Sequence, residues 1–222
     1  MLRKKNKSII ISYITYRRLI GVLGILLPFI LLFGGCVFGG FPVRQSISSY
    51  YYTNMRDFFI GLLFAISMFL ITYKGYEVID NIITSLIGIA GLGIALFPSI
   101  DESNVIPFTG IFQLDPAVSY PVHVVCASLF FILLAVNSIF LFTLPWGQGA
   151  EKTKNKKIRD GFYIGCGVVI LVSLVLIAVL YFLMGVDALR QSYLILLLES
   201  IMLVAFGISW LVKGETIFKD RA

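Results

Sequence analysis

One dense polar loop, one histidine and one carboxylate inside an apolar run carry most of the chemistry that the 222 residues offer. The loop holds Gln45, Ser46, Ser48 and Ser49, then the three consecutive tyrosines Tyr50, Tyr51 and Tyr52, then Thr53, Asn54 and the adjacent pair Arg56 and Asp57. A belt of interfacial aromatics accounts for the tyrosines. It does not account for Arg56 beside Asp57, whose side chains leave a helix about 100° apart, so that each needs its own partner. His123 is the single imidazole, a group suited to general acid or base work or to a hydrogen bond at an interface. Glu199 stands about 12 Å inside the last apolar run at 1.5 Å per residue. An ionisable group at such depth costs roughly 2.5–3.5 kcal/mol, so it requires a partner or a task.

Several chemistries lack their residues. One His and three Cys, at 36, 126 and 166, provide neither HExxH nor CxxC, so a three-histidine zinc site is excluded and neither metal nor cofactor is expected. No GxSxG and no Walker loop is present, and the glycine pairs at 34–35 and 39–40 lack the strand-to-helix context of a phosphate cradle. Lys213, at the end of the last run, is badly placed for a buried Schiff base. Cys36 and Cys126 fall at the same level, so the topology permits a disulfide between them.

What positions these residues follows from a composition with 59% hydrophobic and 14% charged residues, which describes a membrane chain. Six uncharged apolar runs approach the ~20 residues that cross a hydrocarbon core. They are Leu19 to about Phe38, Phe58 to Tyr73, Ile82 to Ser99, Val122 to Trp146, Gly161 to Gly185 and Ser192 to Val212. The second and third are short, which predicts helices that begin a turn earlier, with Asp57 and Asp80 at the interface. Gly39, Gly40 and Pro42 follow the first run, Pro98 closes the third, Pro121 opens the fourth, and Pro145 and Gly147 end it. The first run is too long for a cleavable signal peptide and lacks a small-x-small site after it. The expected fold class is therefore all-α, a polytopic bundle of six transmembrane helices. Residues 1–18 form a basic cytoplasmic segment, 19–212 the transmembrane domain and 213–222 a cytoplasmic tail.

Alternating six spans places 15 of the 18 Lys and Arg on the side of the termini, leaving Arg44, Arg56 and Arg190 on the other. The positive-inside rule then makes both termini cytoplasmic, and a bacterial plasma membrane is the simplest location. The net charge of +6 is thus topogenic. No basic face interleaved with stacking aromatics exists, and no nucleic acid is expected as a partner.

Helix association in lipid depends on small residues gathered on one face. Gly21, Gly24, Pro28 and Gly35 recur at such steps in the first helix, and Thr84, Gly88, Gly91 and Ala95 in the third. Helices five and six carry bulkier faces broken only by Gly165, Gly167 and Gly207, which predicts peripheral positions for both. His123 and Asn137, fourteen residues apart, share one face of the fourth helix, and that face should meet protein.

The stretch from Ser46 through Thr53 followed by Arg56-Asp57, and again Ala95-Leu96-Phe97-Pro98 with His123 beyond it, resembles uncharacterised bacterial six-helix membrane proteins of domain-of-unknown-function families. The resemblance covers most of the chain and implies the six-helix fold without an activity. A partial similarity links the chain to the CREST intramembrane hydrolases, whose pattern combines a Ser, an Asp and three metal-binding histidines. Ser48, Asp57 and His123 would supply one of each kind; the remaining histidines are absent.

These readings lead to an outward-facing polar pocket formed by Ser48, Tyr51, Arg56, Asp57, His123 and Glu199, with Arg56, Asp57 and His123 in one cluster beside the Asp101-Glu102 pair. Its expected occupant is a small ligand or a lipid headgroup, membrane lipid being the general partner, and the protein would be a sensor, receptor or accessory subunit. The alternative is a metal-independent intramembrane enzyme acting on a lipid, with His123 as base or acid and Asp57 or Glu199 as its partner. A transporter or oligomeric pore ranks third, since no inverted repeat or recurring pair of broken helices is visible. Binding and catalysis both remain open on the residues alone, as does the oligomeric state.

Overall fold

A computed structural model describes residues 13–39, 43–75, 77–100, 110–144, 153–185, 188–189 and 191–216. These residues form six long helices: α1 (Tyr13–Gly39), α2 (Arg56–Thr72), α3 (Val78–Leu96), α4 (Pro116–Val136), α5 (Lys154–Met184) and α6 (Leu194–Lys213). A π-helical turn, Asn137–Leu141, prolongs α4, and a 3-10 turn, Ser48–Tyr52, precedes α2. Five of the helices are long and apolar enough to cross a membrane, and α2 follows with 17 residues. The chain is a helical membrane protein.

The helix ends are set by local chemistry. Asp115 caps α4 by accepting a hydrogen bond from Ala117 N at 2.7 Å, with Pro116 in the first turn. The fourth helix therefore opens at Pro116, and Pro121 lies inside it. Glu77 and Asp80 form a reciprocal capping box at the start of α3. Asp57 and Asp80 both fall in first turns, as the short second and third runs predict. Thr153 caps α5, and Gly185 ends it with φ +76°, a backbone conformation that favours glycine. Since α1 starts at Tyr13 and α6 runs through Lys213, the expected domain limits at 18 and 212 both cut helices. Gly40, Pro42, Pro145 and Gly147 lie outside the described residues.

Each helix packs on its neighbours in sequence, and α6 returns to pack on α1, so the six close into a ring. The interior is filled by aromatic residues that meet edge to face. The Phe130 ring of α4 stands 6.2 Å from Phe206 of α6, and Trp210 stands 5.1 Å from Tyr73 and 5.2 Å from Phe142. Small residues bring the backbones together where the sequence pattern predicts. A Cβ on Gly21 would lie 2.7 Å from the Gly207 carbonyl oxygen, and one on Gly88 would lie 2.5 Å from that of Ser67. The expectation that α5 and α6 are both peripheral holds only for α5. Half of the most apolar stretch of α6 is buried, against 22% in α5, because Gly207 seats α6 on α1 while Phe206 and Trp210 turn into the ring.

One end of the ring is basic and tied together by side chains. Arg17 Nε donates to the Tyr73 hydroxyl at 2.9 Å, Arg18 Nε donates to the Gly214 carbonyl at 2.9 Å, and Lys156 Nζ donates to the Phe142 carbonyl at 2.9 Å. Lys156 also pairs with Asp160, and the Lys213 ammonium sits 4.7 Å from the Phe142 ring centroid. The start of α1 and the end of α6 thus lie together, opposite the polar loop.

Candidate functional site

The polar loop is held in place by the first two turns of α6. The amide of Leu196, one of the donors that a helix start leaves without an intrahelical partner, bonds the Gln45 carbonyl at 2.9 Å. Three residues further on, Glu199 Oε2 accepts from Ile47 N at 2.6 Å. Glu199 thus satisfies its half-buried carboxyl by fixing the start of the 3-10 turn. Within the loop, the Ser46 hydroxyl accepts from Ser49 N at 3.0 Å, and the Thr53 hydroxyl donates to the Tyr50 carbonyl at 2.8 Å and closes the turn. Tyr50 lies beneath α1, where Gly35 leaves room for its ring. Burial raises its phenol above the usual value, so it packs as a neutral group.

The end of α3 supplies the second anchor. Its last carbonyls have no intrahelical donor, and Pro98 stops the helix from continuing. Just past the helix end, three consecutive carbonyls are taken up by side chains from elsewhere. The Phe97 oxygen bonds His123 Nδ1 at 2.7 Å, the Pro98 oxygen accepts from the Ser119 hydroxyl at 2.9 Å, and the Ser99 oxygen accepts from the Tyr52 hydroxyl at 2.5 Å. His123 Nε2 lies 2.9 Å from Ser48 Oγ. Because a carbonyl oxygen only accepts, Nδ1 carries the hydrogen; in the neutral ring Nε2 then accepts, and Ser48 donates to it. The imidazole is 4% exposed and Ser48 9%, so the pair is mostly enclosed by protein.

Ser48, His123 and Glu199 share the wall of a cavity of about 480 Å³ between the loop, α4, α5 and α6. The volume falls within the ~300–1,000 Å³ typical of small-molecule sites. The lining also includes the apolar side chains of Phe131, Leu174, Ile177 and Met202. The hydroxyls of Tyr120 and Tyr181, also on the lining, meet at 3.2 Å across α4 and α5. The arrangement can hold a molecule with a hydrogen-bonding head and an apolar body.

The six residues expected at the site divide into two groups. Ser48, His123 and Glu199 come together. Tyr51, Arg56 and Asp57 do not line the cavity: an Arg56 guanidinium nitrogen donates to the Tyr51 hydroxyl at 2.7 Å and the group covers the Tyr51 ring at 4.4 Å, while Asp57 is exposed. The expected cluster of Arg56, Asp57 and His123 is not formed, because α2 turns Phe59, Leu63, Ile66 and Leu70 into the ring and leaves its first two residues outside. The Asp101-Glu102 pair lies outside the described residues. His123 and Asn137 are both buried, at 4% and 1% exposure, as their shared helical face predicts. Cys36 and Cys126 are separate free thiols, Cys36 exposed.

Sequence reasoning missed Tyr120, which stands one turn before His123 on the same helical face and could have been found from that spacing. It also missed the Phe97 carbonyl, for which no side-chain type gives a signal. No family model matches the chain, nor does any curated protein or solved structure.

Proposed function

We propose that this is a six-span protein of a bacterial plasma membrane, with both termini cytoplasmic, whose outward cavity binds the headgroup of a lipid or a similar small amphiphile. In this reading it acts as a sensor, receptor or accessory subunit. The orientation is supported by the Lys and Arg gathered at the end where α1 starts and α6 stops. The observation that carries the binding reading is the mixed lining of the cavity, in which Ser48, His123 and Glu199 share the wall with Leu174, Ile177 and Met202. A polar solute would leave the apolar side chains uncovered, and a hydrocarbon would leave the hydroxyl, imidazole and carboxyl without contacts; an amphiphile matches both.

The test uses the full chain purified in mild detergent. Native mass spectrometry should show a co-purifying lipid on the wild type. Ala127 lines the cavity, and Ala127→Trp, which would fill part of it, should lose that lipid while remaining folded. Equal lipid content in the two proteins would reject the cavity as the binding site.

A further inference from the structure

We propose that Ser48 and His123 form a nucleophile and general base that cleave a carboxylic ester of a lipid held in the cavity. This inference rests on the cavity taking a lipid and adds a reaction to it.

Serine is a weak nucleophile until a base within hydrogen-bond reach takes its proton, and the base works only when a third group fixes its tautomer and orientation. All three parts are present. Ser48 Oγ lies 2.9 Å from His123 Nε2, and the Phe97 carbonyl, 2.7 Å from Nδ1, keeps the hydrogen on the far nitrogen. A carbonyl in that position orients the ring without adding charge. The bond crosses 75 positions of sequence and joins the loop to α4, so neither residue reaches the other by local folding. Both stand on the cavity wall rather than in a sealed core, and an acyl chain lying against Leu174, Ile177 and Met202 would share that cavity with them. Donors on that wall, the Gln191 amide and the Tyr120 and Tyr181 hydroxyls, are the groups that would stabilise charge on the ester oxygen. Glu199 is a positioning residue: by binding Ile47 N it fixes the turn from which Ser48 projects.

In the reaction Ser48 Oγ attacks the ester carbonyl carbon as its proton passes to His123 Nε2. The tetrahedral adduct collapses, the carbon–oxygen bond to the alcohol breaks, and the leaving alcohol takes the proton from Nε2. Water then attacks the acyl-serine and gives its proton to Nε2. That proton returns to Ser48 Oγ as the carboxylic acid departs. One ester and one water become one alcohol and one acid, with no change of oxidation state.

The experiment treats the full chain, in detergent and in lipid nanodiscs, with a fluorophosphonate probe, and separately follows hydrolysis of a long-chain p-nitrophenyl ester. Wild type should gain one phosphonyl group, located at Ser48 by peptide mass spectrometry, and should hydrolyse the ester. Ser48→Ala should lose both while remaining folded, its melting temperature falling by no more than the loss of the one hydrogen bond to His123 accounts for. Glu199→Gln, which retains an acceptor for Ile47 N, should keep labelling. If lipid is bound and displaced by Ala127→Trp but Ser48 stays unlabelled, or if hydrolysis is equal in wild type and Ser48→Ala, the hydrolase is overturned and the binding cavity stands. Labelling that persists in Ser48→Ala places the reactive group elsewhere and overturns the proposal as well.

Discussion

Glu199 shows how a single polar atom can be required by structure rather than by exposure to solvent. Its carboxyl holds the Ile47 amide at 2.6 Å, inside a wall that also carries Ser48 and His123. Glu199→Gln preserves the side-chain shape and an oxygen that can accept this bond, so the melting temperature in detergent should remain that of wild type. Glu199→Leu leaves a backbone donor in the loop without its acceptor, a loss of about 1–3 kcal/mol, and should lower the melting temperature by several degrees. A Leu variant as stable as wild type would mean that the loop is held by other contacts. The residue types alone were enough to single out Glu199 by its depth in an apolar run, His123 by its uniqueness and Ser48 by the density of its loop. They were not enough to sort Arg56 and Asp57 from that set. Two residues at the same level of a membrane can stand on different sides of a ring, and the α2 face that decides it depends on packing.

At the scale of elements, the glycines foretold which helices approach but not what fills the space between them. Gly21 and Gly88 sit where a Cβ would press on the backbone of a neighbouring helix, as the small-residue pattern predicts. The central position of α6 was not legible, because a bulky face reads the same whether it turns to lipid or to a ring of aromatics. Gly207 was the residue to weigh: its missing Cβ lets α6 reach α1, and that contact fixes the direction of Phe206 and Trp210. Gly207→Val would drive a side chain into the Gly21 carbonyl and Ile25, overpacking that costs about 1–3 kcal/mol. The expected result is a clear fall in melting temperature. Gly165 provides the control, since a Cβ there would meet nothing within 4 Å, and Gly165→Ala should leave the transition unchanged or raise it slightly through helix propensity. Equal effects of the two substitutions would show that the seam between α1 and α6 is not tight.

For the whole molecule, the ring closes because its first and last helices meet, and side chains staple that meeting at the basic end. Arg17 and Arg18 donate to carbonyls at the end of α6, which places cations against the negative end of the helix dipole. The same end holds Tyr73 and Lys156, while the cavity with Ser48, His123 and Glu199 opens at the other. Such a separation of charge and site along one axis is what a bundle with an even number of spans produces when both termini stay on the side of the bases. With α2 at 17 residues, shorter than the other helices, the alternation of sides hinges on whether it crosses. Reporter fusions decide this. A phosphatase that is active only outside the cytoplasm should be inactive after Ala222 and active within the 100–121 loop, and a cytoplasmic fluorescent reporter should give the reverse. If α2 did not cross, the loop before it and the loop after it would share one side, the 100–121 loop would report with the N-terminus, and the six-span arrangement would be rejected.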